Sequence, residues 1–280
     1  MLSPDLAVKL ELLQKKLTEM GAIVVAYSGG VDSSLLIKVA SLTPARVLAV
    51  TAASPTYPRE EIEAAARLAQ ELGVRHMVIN TGEMENPAFT ANPPERCYHC
   101  KKELYARLRE LARENGLKTI VDGANADDSG DFRPGIQAAA EFGIRSPLQE
   151  VKLTKAEIRQ LARYLDLPNW DKPSMACLSS RIPYGQAITP EKLGQVAAAE
   201  AFLRQLGLRE IRVRHHGPIA RLEVSPSAFT LLIDAKIREK LVNHLHKLGF
   251  TYITLDLEGF RSGSMNAVLS PEERALKPNS

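Results

Sequence analysis

The stretch Ala22–Ala40, AIVVAYSGGVDSSLLIKVA, constrains this chain more than any other. Ile23, Val24, Val25, Ala26 and Tyr27 form the short apolar run of a buried strand. Ser28, Gly29 and Gly30 interrupt it, and Val31, Leu35, Leu36 and Val39 then recur at helical spacing. Strand, tight glycine turn and helix start follow one another without a spacer. Such a turn aims backbone N–H groups and the positive end of a helix dipole at an anion. The hydroxyls of Ser28, Ser33 and Ser34 add donors for the same oxygens.

Neither common phosphate loop fits. The lysine of GxxxxGK[ST] is missing, and the glycine spacing is wrong for GxGxxG. The string SGGVDSS resembles the pyrophosphate loop of the PP-loop ATP pyrophosphatase superfamily. That resemblance implies cleavage of ATP between its α and β phosphates, with adenylation of a substrate. Asp32 is then either a helper for Mg²⁺ beside the phosphates or a cap on the helix.

The remaining order of elements supports an α/β fold. Leu6, Leu10, Leu13 and Leu17 predict an amphipathic first helix. Strands are predicted at Arg46–Thr51, Val74–Ile79 and Lys118–Asp122, with helices over Arg59–Leu72 and from RCYHCKK to about Gly116. Asn80–Pro94 reads as irregular, Ile136–Phe142 as a short helix, and RSPLQEV as strand-like. Thr154 and Glu157 form a capping box for a helix ending near Leu167. Strands alternating with helices predict a parallel sheet with helices on both faces, the PP-loop (adenine nucleotide alpha hydrolase-like) arrangement. Ligands in such sheets gather at the carboxyl ends of the strands. The end of the first strand at Ala26, SGGVDSS, Thr51–Ser54 and Gly123–Asp128 should therefore converge. The loop acids Asp127 and Asp128 read as solvated in preference to Mg²⁺ ligands.

Past Gly185 the pattern changes. A helix over Thr189–Leu206, strands REIRVRHHG and IARLEVS, a helix over Phe229–Leu248 and a strand TYITLDL predict a small α+β unit. The expected division is 1–184 for the nucleotide domain, 185–270 for a substrate or oligomerisation domain, and 271–280 for a frayed tail. With 280 residues, 45% of them hydrophobic, the chain can bury cores for both. No apolar run approaches the ~20 residues of a membrane span, and the N-terminus lacks the uninterrupted core of a secretory signal. A cytoplasmic location is expected. A net charge of +3 does not by itself indicate a nucleic-acid partner.

Three cysteines require their own explanation, because disulfides are disfavoured in a reducing compartment. Cys97 and Cys100 form a CxxC at a helix start, and Cys177 lies in KPSMACLSSRIPYG. Three thiolates without a fourth fit a [4Fe–4S] cluster with one open iron. Zinc with His99, or incidental cysteines, are the alternatives.

The string DKPSMACLSSRIPYG, together with SGGVDSS, IRVRHHG, ARLEV and GFRSGSMN, resembles the LarE family of sulfur transferases along nearly the whole chain. That resemblance implies ATP-dependent adenylation of a carboxylate on a nicotinate-derived mononucleotide, then sulfur addition to give the thiocarboxylate precursor of the nickel-pincer cofactor of lactate racemase. In one branch the cysteine matching Cys177 gives up its own sulfur. The CxxC makes this chain similar to the other branch, in which Cys97, Cys100 and Cys177 would hold a [4Fe–4S] cluster carrying hydrosulfide. The family's phosphate-binding arginines match Arg212 and Arg214, whose alternation on a strand puts both on one face; Glu223 would position them. Arg181 is a candidate to neutralise the α-phosphate, or else a surface salt bridge. Lys101, Lys102 and Lys172 read as solvated.

The expected cofactors are thus ATP, Mg²⁺ and [4Fe–4S]. The expected partners are a small mononucleotide, a sulfide or sulfur donor and other copies of the chain, with no nucleic acid. Competing readings are a PP-loop tRNA thiolase with a three-cysteine cluster, an amide-forming synthetase of the GMP or NAD kind, and a nucleotide-binding regulator.

Overall fold

The computed structural model describes residues 2–130, 134–261 and 263–270. In chain order the elements of the first part are α1 (Pro4–Met20), β1 (Ala22–Ala26), α2 (Val31–Ser41), β2 (Arg46–Ala53), α3 (Arg59–Glu71), β3 (Arg75–Asn80), α4 (Pro87–Thr90), α5 (Arg96–Glu114) and β4 (Thr119–Val121). They continue with α6 (Gly135–Glu141), α7 (Pro147–Glu150), α8 (Lys155–Tyr164), α9 (Pro190–Gln205), β5 (Ile211–His216), β6 (Ile219–Val224), α10 (Phe229–Ile233), α11 (Ala235–Lys247) and β7 (Tyr252–Leu255).

The chain divides into two compact units. The first holds the residues up to Glu83 and Cys97–Met175; its sheet is four-stranded in the order β3-β2-β1-β4, and every pair is parallel. Central β1 is flanked on both sides, which is why Ile23, Val24 and Val25 are all fully buried. One face packs on α1, α2 and α8 through Leu13, Leu17, Leu35, Ile158 and Leu161; the other packs on α5 through Tyr105 and Leu108. This is the predicted α/β architecture. The capping box of α8 is complete, with both Thr154 and Glu157 engaged.

RSPLQEV is not a strand. Only Arg145 makes a bridge, to Val121, and Pro147 opens α7 instead, because proline is preorganised for a first helical position. Asn80–Pro94 contains a short turn of 3₁₀ helix at Glu83–Glu85 and then α4, capped by the Asn86 side chain.

The second unit contains Met84–Arg96 and the described residues from Ala176 onward. Its sheet is three-stranded, β5-β6-β7, with β5 antiparallel and β7 parallel to β6. Ala199, Leu203, Val213, Leu222 and Leu245 fill its core. The division falls at Ala176, ahead of the expected boundary near 185, and Met84–Arg96 joins this unit. Arg181, bonded to the Ala176 and Cys177 carbonyls and to Glu200 on α9, accounts for the first difference, and Asn92 for the second. The Asn92 Nδ2 donates to the carbonyls of Ile182, Pro183 and Gln186 at 2.7–3.1 Å, and its own carbonyl accepts from Gly185 N. The single helix expected over Phe229–Leu248 is broken at Asp234, whose extended backbone ends α10 and whose carboxylate caps α11. The expected tail, 271–280, lies outside the described residues.

Candidate active site

In the first unit the loop after β1 has the geometry of an anion cradle. Gly29 has φ +69°, and a Cβ placed there would sit 2.7 Å from the Ala65 Cβ on α3, so only glycine fits. Gly30 is the N-cap of α2 and supplies no side chain, leaving the first amides of that helix for a ligand. Meanwhile the loop bonds to itself at long distances. Ser28 N donates to Ser33 Oγ at 3.3 Å and Gly30 N donates to Ser28 Oγ at 3.3 Å. Phosphate oxygens are stronger acceptors than these hydroxyls.

Gly123, just after β4, closes the other side. A Cβ there would lie 3.1 Å from Ser33 N, so a side chain would press on the start of α2. Thr51 is buried and its hydroxyl is used within the sheet, donating to Tyr27 O at 2.8 Å and meeting His76 Nε2 at 2.8 Å. Ala26 ends β1 and brings only backbone. Ser34 is fully buried, with its Oγ taking Asn169 Nδ2 at 3.0 Å.

Asp32 is ion-paired with Lys155, while its Oδ1 is buried with no partner among the described residues. Asp127 is exposed, as expected of a loop acid, whereas Asp128 is not solvated. Asp127 accepts the Lys155 backbone N–H at 2.8 Å, and Asp128 is buried and accepts from Asn125 N at 3.0 Å. Lys172 is not solvated either; its ammonium lies 2.6 Å from Glu61 and 3.2 Å from the Gly29 carbonyl. Asn169, Lys155 and Lys172 are loop partners that no local pattern singles out. Lys172 at least stands inside the DKPSMACLSSRIPYG string.

The CxxC lies in the first two turns of α5, its cysteines three residues apart on neighbouring positions of the helix surface. Lys101 lies beside it, its Nζ 5.5 Å from the centre of the Tyr105 ring. Tyr105, then Asp122 and the Cys100 and Cys97 thiols, raise the Lys101 pKa above its ordinary value against the opposing effect of burial. None of Cys97, Cys100 and Cys177 is in a disulfide. Among the described residues no group of three or more His, Cys, Asp or Glu side chains is placed to hold a metal ion.

The second unit carries a buried charge cluster. Arg181, Arg212 and Arg214 are 2%, 6% and 1% exposed, and Glu200 and Glu223 are 0% exposed, leaving one cation in excess. Arg181 is no surface salt bridge. Its Nε and Nη2 bond both Glu200 oxygens at 2.7 and 3.2 Å, and its Nη1 donates to the carbonyls of Ala176 at 3.0 Å and Cys177 at 3.3 Å. The guanidinium therefore ties the Cys177 turn to α9. Arg214 is likewise engaged, with Glu223 at 2.7 Å, Ser264 Oγ at 2.6 Å and Ser180 O at 2.7 Å.

Arg212 differs. It stacks 4.7 Å from the Phe260 ring centre and reaches the Arg261 carbonyl at 3.3 Å, with no carboxylate partner among the described residues. Burial, with Arg181 and Arg214 beside it, lowers its pKa to about 10. A bound anion would relieve that cost. Arg212 and Arg214 do share a face of β5, as expected, and Glu223 does hold Arg214. Glu200 was not foreseen, although a lone glutamate inside VAAAEAFL is a signal for a buried partner.

Comparison with known proteins now decides the family. The NAD synthase family matches residues 6–115, the part that contains the loop. The pyridinium-3,5-bisthiocarboxylic acid mononucleotide synthase of Lactiplantibacillus plantarum is 40% identical over 96% of this chain and 98% of its own length. This chain belongs to the LarE family of ATP-dependent sulfurtransferases. An uncharacterised protein of Synechocystis is 47% identical over 94% of this chain and 98% of its own length. One from Methanocaldococcus jannaschii is 30% identical over 86% and 91%. No helix among the described residues is long and apolar enough to cross a membrane.

Proposed function

We propose that this LarE-family chain adenylates a carboxylate of a pyridinium dicarboxylate mononucleotide with ATP and converts it to a thiocarboxylate for the nickel-pincer cofactor of lactate racemase. The observation that carries the nucleotide half is the β1–α2 loop, where a left-handed Gly29 and an uncapped helix start leave several N–H groups for phosphate oxygens. The chemistry follows from the electrophile. A carboxylate resists nucleophiles, so its oxygen first attacks the α-phosphorus and pyrophosphate leaves. A sulfur nucleophile then adds to the acyl carbon, and the original oxygen departs with AMP. Ser28, Gly30 and Ser33 hold the departing pyrophosphate, stabilising charge as it develops; Ser34, fully buried and bonded to Asn169 and Gly30, braces the loop from behind. The Asp32 Oδ1, buried without a partner among the described residues, is an oxygen that suits a Mg²⁺ accompanying the phosphates.

The cation excess around Arg212 supports a site for the substrate's own phosphate, with Arg214 and Glu223 as its frame. Arg181 acts as the anchor of the Cys177 turn in this scheme and not as an α-phosphate ligand. The donor chemistry of three thiols fits a [4Fe–4S] cluster, which Cys97, Cys100 and Cys177 would hold; when bound it supplies an iron site for hydrosulfide. We further propose a homo-oligomer, a sulfide-level sulfur donor, a cytoplasmic setting and no nucleic-acid partner.

The test is product analysis. ATP with the carboxylated mononucleotide should give AMP and pyrophosphate in equal amounts, followed by ³¹P NMR under anaerobic conditions. ADP and phosphate as products would overturn the assignment, and substrate-independent binding of tRNA would favour the thiolase reading instead.

A further inference from the structure

The loop that faces the nucleotide has no basic residue between Ser28 and Ser34. ATP and pyrophosphate are polyanions, and neutral N–H donors alone leave most of that charge uncompensated. The fold brings two ammonium groups to the loop from elsewhere in the first unit. Lys155, the first residue of α8, is ion-paired with Asp32 in the first turn of α2. Its backbone is fixed independently, since its N–H is bonded to Asp127 and the preceding Thr154 completes a capping box. Lys172 reaches the opposite end of the loop, 3.2 Å from the Gly29 carbonyl and 2.6 Å from Glu61 on α3. Each ammonium is thus held by a carboxylate at the edge of an anion cradle in which the Ser28 and Gly30 amides make only 3.3 Å bonds.

We infer that Lys155 and Lys172 are the cationic half of the pyrophosphate site, parked on Asp32 and Glu61 until the nucleotide arrives. This rests on the nucleotide reading above and extends it to two residues outside the motif. On binding, phosphate oxygens replace Asp32 and Glu61 as the acceptors. Side-chain rotation is sufficient for the exchange, because both lysines are already within contact of the loop or its first helical turn. Asp32 is released for other work, and Glu61 serves only as a placeholder. The two carboxylates therefore compete with the ligand.

That competition sets the sign of one substitution, and a purely structural role predicts the reverse. Inorganic pyrophosphate binding, measured by isothermal titration calorimetry on the full chain, is the readout. Lys155→Met and Lys172→Met should each lose about tenfold or more in affinity, the size of one charge-assisted contact. Lys155→Arg should stay within about threefold of the parent and guards against misfolding of the methionine variant. Glu61→Gln should bind pyrophosphate several-fold more tightly, because Lys172 is no longer held back. With Lys172→Met already present, Glu61→Gln should add nothing. Unchanged or weaker pyrophosphate binding in Glu61→Gln would overturn the inference, as would unchanged affinity in either methionine variant. A parent protein that fails to bind pyrophosphate at all would overturn the nucleotide reading itself.

Discussion

Removing one member of the Arg181–Glu200 pair should cost the second unit about 3–5 kcal/mol, far more than an average substitution. Glu200 is fully buried and satisfied on both oxygens. Oε1 accepts from Arg181 Nε and from Val213 N at 3.1 Å, and Oε2 accepts from Arg181 Nη2 and from Arg204 at 3.2 Å. Glu200→Ala leaves the Arg181 guanidinium buried at 2% exposure without its counter-charge, and leaves the β5 amide of Val213 unpaired. Arg181→Ala strands the carboxylate, with the partly exposed Arg204 as its remaining charged partner and the Val213 amide as a neutral donor. Replacing both by methionine removes the two charges together and keeps most of the volume, so the double variant should lose much less than the sum of the singles. Urea unfolding, with hydrogen exchange read on peptides from β5 and β6, follows this unit by itself. Because Arg181 also holds the Ala176 and Cys177 carbonyls, the double variant should remain folded yet lose sulfur transfer. Additive losses, or single-variant losses below about 1 kcal/mol, would refute the reasoning, since an exposed pair behaves in that way.

Gly29→Ala should abolish nucleotide binding, because it combines a positive φ with a 2.7 Å approach to Ala65; Gly123→Ala should weaken it more mildly by pressing on Ser33 N. Equilibrium dialysis with ATP distinguishes the two, and equal effects would contradict the geometry. Arg212→Ala should weaken mononucleotide binding about tenfold or more while leaving ATP affinity unchanged, read by calorimetry; unaltered mononucleotide affinity would place its phosphate elsewhere. Stability should fall as pH drops from about 7.5 to 5.5. Burial lowers the pKa of His76, His215 and His216 in the folded chain, so the unfolded chain binds more protons near its ordinary histidine range. A thermal midpoint that is flat or rising across that window would contradict this assignment. Any one of Cys97→Ala, Cys100→Ala and Cys177→Ala should lower iron content and turnover together after anaerobic reconstitution; iron retained in Cys97→Ala would exclude it as a ligand.

Much of this architecture is legible without coordinates. The apolar run of β1, the glycines after it and the Thr154–Glu157 capping box are local signals, and the structure realises each of them. The errors occur where local pattern is ambiguous or tertiary contacts decide. RSPLQEV alternates like a strand, but its proline suits a helix start, and only Arg145 pairs. Phe229–Leu248 has continuous helical periodicity, and Asp234 breaks it with a cap. Two arginines on one strand face were readable from spacing. Their unequal roles were not, because Glu223 on the neighbouring strand and the distant Ser264 engage the Arg214 Nη2, whereas Arg212 receives only an aromatic face and a carbonyl. Lys155 and Lys172 were hidden for the same reason. A lysine's sequence neighbours do not reveal that its ammonium ends beside a glycine loop more than a hundred residues earlier.

Anaerobic mass spectrometry of a single reaction tests the central claim most directly. Parent protein, ATP, sulfide and the carboxylated mononucleotide are incubated together, and both the mononucleotide and the intact chain are weighed. The account predicts a mononucleotide in which sulfur has replaced one carboxylate oxygen, one AMP and one pyrophosphate per sulfur introduced, repeated turnover, and a chain of unchanged mass. A chain lighter by the roughly 34 Da of H₂S at Cys177, in step with product, would show that Cys177 surrenders its own sulfur. A mononucleotide that gains no sulfur while ATP is consumed would contradict the account altogether.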